Sequence, residues 1–435
     1  MSKDSYDAII IGAGIIGAAT ALALARKGWR TLNVDKLPAA GYGSTSASCA
    51  IIRPYYSTVD GCAIGWESHF YWRDWADFLG VSDERGLARY IDCGSLRLKS
   101  PANEFMAPTI KLMDEIGCPY EEWDPEQVRD RLPIVVLDSF GKAKPVDDPA
   151  FGQADGPPLP GGVFFPNSGY VNDPQLASHN LQRAAEAAGA SFRFNTTVTE
   201  IRREGGRTAG VVLDGAEAVD SPVVVNVAGP HSQKINALAG VEDGMTIKTK
   251  ALRHEVCHVP SPSDFDFETD GFVFSDGEIG VYIRPETGNH ILIGGEDPEC
   301  DDREWVDPDD YNRDFTDLWR VQAMRLAQRM PNLGIPSREK GVVDLYDVSD
   351  DWIPIYDKSD RPGFYMAVGT SGNQFKNAPI AGEMMADLID ACENGRDHDA
   401  DPVTFRLRYI DRVVSLGFYS RRREINPDSS FSVLG

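Results

Sequence analysis

The spacing of apolar and polar positions changes period several times along the chain. Asp7 to Ile11 is a short apolar run of strand length. A glycine turn follows, then an Ala-rich stretch of helical length from Ile15 to Lys27, ended by Gly28. Thr31 to Val34 is a second apolar run that finishes at Asp35, so the opening predicts a strand–helix–strand unit. Ala8 to Ala25 holds no polar side chain except Thr20, a length that invites comparison with a membrane span. Its Ala and Gly content and the breaks at Gly12, Gly14 and Gly17 favour strand plus helix, and no charged segment precedes it as in a secretory leader.

Further on, the pattern predicts a Gly/Ser/Thr loop over Ala39 to Ser48 and an aromatic-rich helical stretch from Trp66 to Leu79. A strand over Gly94 to Lys99, a helix over Pro108 to Gly117 and a Pro/Gly/Asp-dense loop over 141–162 come next. A helix from Pro174 to Ala188 leads to strands at Ser191–Phe194 and Val198–Arg202, a hairpin turn at Asp214 and Gly215, and a buried strand over Pro222 to Ala228. Strand-rich sequence runs from Ile247 to Gly295, helical sequence from Asp309 to Met330, and a last strand-and-helix unit from Phe364 to Cys392.

Charge narrows the partners. With 67 acidic against 43 basic residues the net charge is −24, which disfavours nucleic acid and anionic lipid. A length of 435 residues is enough for two intermixed domains. The 7 cysteines are scattered, without a C-x-x-C pair or a His/Cys cluster, so neither a disulfide framework nor a metal site is expected; reduced thiols in a cytoplasmic protein are.

Gly12, Gly14 and Gly17 form a G-x-G-x-x-G pattern between a strand and a helix, with Asp35 closing the second strand. The first glycine permits a tight turn, the second lets backbone approach a pyrophosphate, and the third packs helix on strand; an acid at Asp35 suits the ribose hydroxyls of an adenosine. The motif alone does not separate NAD from FAD. Later segments favour the longer cofactor: Gly43, Ser44, Thr45 and Ser46 after the second strand; Asn195 to Ile201, read as an edge strand carrying Val198; Ala228 and Gly229 closing a buried strand; and Gly369 to Lys376 before a helix over Ala378 to Ile389, whose N-terminus favours a negative flavin edge. The expected cofactor contacts are Gly12, Gly14, Ile15, Ile16, Gly17, Asp35, Lys36, Gly43, Ser44, Thr45, Ser46, Val198, Ala228, Gly229, Gly372, Asn373, Gln374, Phe375 and Lys376. The fold class is α/β (α+β): a Rossmann-like FAD-binding domain assembled from 1–90, 152–235 and 335–395, a β-rich substrate domain from 91–151 and 236–334, and a tail over 396–435 that carries little information.

In this order the segments resemble the D-amino-acid oxidase and sarcosine oxidase superfamily, from residue 6 to residue 392. Ala50 to Tyr56 is similar to its I-I-R-x-x-Y segment and Ser371 to Lys376 to its S-G-H-G-F-K segment, with Asn373 at the histidine position. The resemblance implies that Arg53 and Lys376 hold a substrate carboxylate over the flavin, a planar fork and a point charge converging on one anion. It also makes Tyr282 a substrate-facing tyrosine. Arg284, two residues along the same strand and on the same face, has no counterpart in that pattern and is a candidate for a second polar or anionic substrate group. His254 is read as a structural histidine near the site.

Four departures bear on chemistry. Asp344 and Ala47 stand where relatives attach flavin covalently, so non-covalent FAD is expected. Gly169 to Asn172 lacks the pattern for a second flavin, and Leu292 replaces an oxygen-activating lysine, which favours a dehydrogenase over an oxidase. No folate-binding domain is expected after residue 392. The implied reaction is oxidation of the C–N bond of a small secondary or N-substituted amino acid by hydride transfer to flavin N5, followed by hydrolysis of the imine. The alternatives are a flavin 2-hydroxy-acid or glycerol-phosphate-type dehydrogenase, and a FAD-binding subunit of a multi-subunit amine dehydrogenase. Expected partners are a carboxylate-bearing amine and an electron acceptor (oxygen, a quinone or an electron-transfer protein), with no nucleic acid, no membrane span and an open oligomeric state.

Overall fold

A computed structural model describes residues 5–435. Its first large sheet has six strands in the order Ile355–Lys358, Phe364–Val368, Val223–Asn226, Ala8–Ile11, Thr31–Val34, Ser191–Arg193, parallel except at the Ile355–Lys358 edge. The three central strands are buried at every position, as a parallel sheet covered on both faces requires. Alternation along Ala8–Ile11 sorts the two covers. Ala8 and Ile10 join the core formed with the helices Ile15–Arg26, Pro174–Ala187 and Ala378–Glu393, and Ile9 and Ile11 face the core that includes Val211, Leu213 and Ile235. The helices Ile15–Arg26 and Ala378–Glu393 cross closely because Gly382 has no side chain; a Cβ there would lie 2.6 Å from the Ala19 carbonyl.

The second large sheet has nine strands, built around the long strand Thr249–Pro260, which pairs with both His290–Gly295 and Gly341–Ser349. Gly162–Phe165 and Gly341–Ser349, within ranges expected for the nucleotide part, pair in this sheet instead. The mixed α/β architecture is the one expected, with three local differences. The helix expected from Trp66 starts at Val59, because Thr58 Oγ1 accepts the Gly61 N–H and caps it. The helix expected from Asp309 starts at Asp317, capped by Thr316. The strands expected at Ser191–Phe194 and Val198–Arg202 form as Ser191–Arg193, which ends the parallel sheet, and Val198–Glu204, which begins a three-stranded antiparallel one; Asn195, at φ 51°, turns the chain between them, so the edge strand expected over Asn195–Ile201 starts only at Val198.

The tail is ordered. Thr404–Leu407 and Arg412–Ser415 form a hairpin. Arg421 is then fixed at 2.9 Å to both Asp357 and Asp399, and Arg423 at 2.7 Å to Asp351. No described helix is long and apolar enough to cross a membrane.

Candidate active site

A cavity of about 690 Å³ runs from the glycine turn, across the end of the parallel sheet, to the face of the nine-stranded sheet. Gly12, Gly14, Ile15, Ile16 and Gly17 line its first end, so the first turn of the Ile15–Arg26 helix opens on it. Gly12 adopts φ +110°, and a Cβ there would meet the Val227 carbonyl oxygen at 2.3 Å; one at Gly17 would meet the Gly12 carbonyl oxygen at 2.0 Å. The turn closes backbone against backbone, which leaves no room for a side chain at either position. Asp35 Oδ2 accepts the Ala13 N–H at 2.7 Å and its Oδ1 accepts the Leu37 N–H at 2.8 Å, fixing the carboxylate beside the turn. Thr45 Oγ1 accepts the Ile15 N–H at 3.1 Å, bringing the Gly43–Thr45 loop over the helix start.

The far end is built from side chains of distant segments. Gly369, Ser371 and Gly372 all have positive φ, and this turn delivers Asn373 to Lys376; a Cβ at Gly372 would press on the Tyr346 ring at 2.6 Å. Lys376 (2% exposed) donates to the Asn373 carbonyl at 2.7 Å. Arg53 (6% exposed) donates Nη1 to the Tyr55 carbonyl and Nη2 to the carbonyls of Val433 at 3.1 Å and Leu434 at 2.8 Å. Both cations lie 4.8 Å from the centre of the Tyr56 ring, whose hydroxyl donates to the same Asn373 carbonyl at 2.7 Å. Among the described residues neither forms an ion pair with a carboxylate. Burial, and then the charge of Arg53, pushes Lys376 well below the ordinary range of a lysine. Both groups are hydrogen-bonded only to neutral oxygens, so their donors are open to exchange for an anionic ligand.

Tyr282 lines the cavity, its hydroxyl donating to Cys49 Sγ at 3.7 Å. Lys36, Asp35, Gly43, Ser44, Thr45, Val198, Ala228, Gly229, Gly372, Asn373, Gln374 and Phe375 also line it. Two expected residues do not. Ser46 is exposed, with its hydroxyl donating to the Gly43 carbonyl at 2.9 Å. Arg284 (3% exposed) lies behind the wall, paired with Glu286 at 2.9 Å and set 4.5 Å from the centre of the Tyr170 ring. Leu292 is Arg284's neighbour across the sheet and packs with the Cys49, Leu252 and Tyr282 cluster.

Sequence reasoning missed several lining groups. Val433 and Leu434 come from the tail, where no motif marks them. Asp347 is a buried carboxyl whose Oδ2 accepts the Gly369 N–H at 2.6 Å and whose Oδ1 is left without a well-formed hydrogen bond among the described residues, with Ser232 and Thr249 nearby; burial pushes it up to about 7. His254, read as structural, lines the cavity, pairs with Asp297 at 2.8 Å and stacks on Tyr346 at 4.2 Å.

A glycine turn at a helix start, an acid at the next strand end and a cavity that continues well past the nucleotide end define a dinucleotide-dependent oxidoreductase with room for a flavin. Residues 7–388 match the family described as FAD dependent oxidoreductase, and the chain belongs to it. Glycine oxidase of Geobacillus kaustophilus is 26% identical over 407 residues, covering 90% of this chain and 95% of the relative. Sarcosine oxidase subunit beta of Rhodobacter capsulatus is 24% identical over 394 residues, covering 89% and 85%. The solved glycine oxidase from Geobacillus kaustophilus superposes with a TM-score of 0.72 at 20% identity, over 98% of this chain and 100% of that one, so the fold is shared. FAD is the cofactor of this family, and the glycine cradle, Asp35 and the length of the cavity fit it.

Proposed function

We propose that the chain oxidises the C–N bond of a small secondary or N-substituted amino acid, using non-covalently held FAD. The observation that carries this reading is the pair Arg53 and Lys376: two buried cations, at one end of the cofactor cavity, with no carboxylate partner among the described residues. Bound in the cavity, FAD supplies the acceptor for the hydride leaving the carbon beside nitrogen, and water takes the imine product to carbonyl and amine. The chain's own residues orient. Arg53 and Lys376 fix the carboxylate, Tyr282 bounds the substrate from the nine-stranded sheet, and the rings of Tyr55 and Tyr346, which also line the cavity, limit the water that reaches the charge contacts. Relatives described as glycine oxidase and sarcosine oxidase subunit beta support an amino-acid substrate.

Asp344 and Ala47 line the cavity at the positions aligned with covalent attachment, so acid should release FAD from the polypeptide. Leu292 offers no charge to stabilise superoxide, which favours a dehydrogenase that passes electrons to a quinone, a dye or a protein. Reoxidation of the reduced enzyme by oxygen in stopped flow should be slow; oxidase-like speed would overturn that part of the proposal.

One observation favours a second reading, a 2-hydroxy-acid dehydrogenase. The imidazole of His254 faces the cavity with Asp297 behind it, an arrangement suited to taking a hydroxyl proton. An anaerobic screen of N-methyl and cyclic amino acids against 2-hydroxy acids, read by flavin bleaching, separates them. Bleaching by amino acids alone supports the proposal, and bleaching by hydroxy acids alone replaces it with the second reading.

A further inference from the structure

The tail reaches the substrate end of the cavity and holds the residue assigned to the carboxylate. Its root is strongly fixed: Arg423 bonds Asp351 through Nε at 2.9 Å and Nη2 at 2.7 Å, and the Ser429 hydroxyl donates to the Asp351 carbonyl at 2.5 Å. Beyond Ser429 the character of the contacts changes. Arg303 donates to the Phe431 carbonyl at 2.6 Å, Arg53 to the carbonyls of Val433 and Leu434, and the Ser57 N–H to the Gly435 carbonyl at 2.9 Å. No ion pair holds this last stretch among the described residues. The Val433 side chain packs with Cys49, Tyr282 and Trp352, so it also forms part of the wall a substrate would touch.

We propose that residues Phe431 to Leu434 form a displaceable strap over the substrate subsite, in which the Val433 and Leu434 carbonyls occupy the Arg53 Nη2 edge until a substrate carboxylate replaces them. The chemistry favours exchange in that direction, because a hydrogen bond from guanidinium to carboxylate is charge-assisted and roughly twice as strong as one to a neutral carbonyl. A bidentate carboxylate needs an edge of the guanidinium, and the carbonyls of Tyr55, Val433 and Leu434 hold both Nη groups. The fixed root at Asp351 lets the strap lift without leaving the molecule. Val433 and Leu434 thereby select against ligands that lack a carboxylate, since a neutral group gains too little at Arg53 to displace them.

This inference rests on the carboxylate reading of Arg53, and its test keeps the two apart. The FAD-loaded full chain and a chain ending at Asp428 are titrated with propionate and with its uncharged analogue propionamide, following the flavin absorption change. Removing a competing closed state should tighten propionate binding by about tenfold or more and narrow the preference for propionate over propionamide. Equal or weaker propionate binding by the shortened chain overturns the strap while leaving the carboxylate site intact. No preference for propionate in either form overturns the carboxylate reading, and the strap with it. Should the shortened chain fail to fold, hydrogen exchange in the full chain decides. Saturating propionate should speed exchange at the Ser57 amide, whose acceptor is Gly435; unchanged or slower exchange overturns the strap.

Discussion

At the nucleotide end of the cavity, added Cβ atoms at Gly12 and Gly17 would stand 2.3 and 2.0 Å from carbonyl oxygens; at the substrate end, Arg53 and Lys376 are buried 4.8 Å from one tyrosine ring with only neutral partners. The first region is shaped by backbone contacts, which Asp35 and Thr45 support with hydrogen bonds to the Ala13 and Ile15 amides. The second consists of charges drawn from segments far apart in the chain, and its interactions are incomplete without an anion. The contrast teaches that the two ends serve the protein differently: the cradle contributes to folding as well as binding, whereas the cation pair costs stability and returns it as affinity.

The largest expected effect comes from breaking the cradle. Gly12→Ala combines a disfavoured φ with a backbone clash and should cost on the order of 3 kcal/mol or more, giving a colourless or unfolded protein. Gly14→Ala meets only the Thr45 hydroxyl, at 3.1 Å, and should keep its fold with weakened FAD binding. Thermal melts and flavin content of the two variants check the ranking, and equal damage would blur the distinction between turn and approach.

The cation pair should behave in the opposite sense. Arg53→Ala should raise KM and slow flavin reduction by about 2–5 kcal/mol of lost interaction while FAD stays bound. Lys376→Met should do the same to the substrate yet raise the stability of the ligand-free protein by about 1–4 kcal/mol, since it removes a buried charge that repels Arg53. A Tm that falls in Lys376→Met would place the lysine in a structural role.

The pH dependence sharpens the same point. Burial and the charge of Arg53 hold Lys376 well below its ordinary range in the ligand-free protein, and a carboxylate bound beside it raises it again. Affinity for propionate, which has no amine of its own, should therefore fall as pH rises through the depressed value, by up to about tenfold per pH unit. Isothermal titration in buffers of different ionisation enthalpy should show proton uptake; Lys376→Met should abolish it.

The smallest effect on function is expected at Arg284. Its charge is met by Glu286 and Tyr170 behind the cavity wall, so Arg284→Ala should cost about 1–3 kcal/mol of stability and leave KM within a factor of about two for substrates of every size. A selective loss on substrates with a polar tail would give it the recognition role that its strand position suggested.

These differences explain what the sequence revealed. Gly12, Gly14, Gly17 and Asp35 act through local geometry, so their spacing alone located the cradle, and the short apolar run over Asp7 to Ile11 located the central strand. Arg53, Tyr282 and Lys376 became visible through resemblance, because nothing local marks a charge as buried. Arg284 illustrates the limit of alternation: the same-face placement with Tyr282 was legible, but the depth of the wall and the reach of Glu286 were not. His254 and Asp347 look ordinary in a strand, and only tertiary contacts expose one to the cavity and leave the other with an oxygen that lacks a well-formed hydrogen bond among the described residues. The tail offered only the basic run Arg421 to Arg423 and no motif. The acids that meet Arg421 and Arg423 include Asp351 and Asp357, remote in sequence, so the path that carries Val433 to Arg53 could not be read from it.

The central claim is that the buried cations select an anionic substrate group. It is tested most directly by anaerobic flavin reduction with N-methylated amino acids and with the matching amides, which keep the amine and the reacting C–H bond but lack the carboxylate charge. The account predicts fast bleaching by at least one amino acid and a loss of about 30-fold or more with its amide, in line with about 2–5 kcal/mol for an unmatched buried charge pair. Equal rates for acid and amide would contradict it.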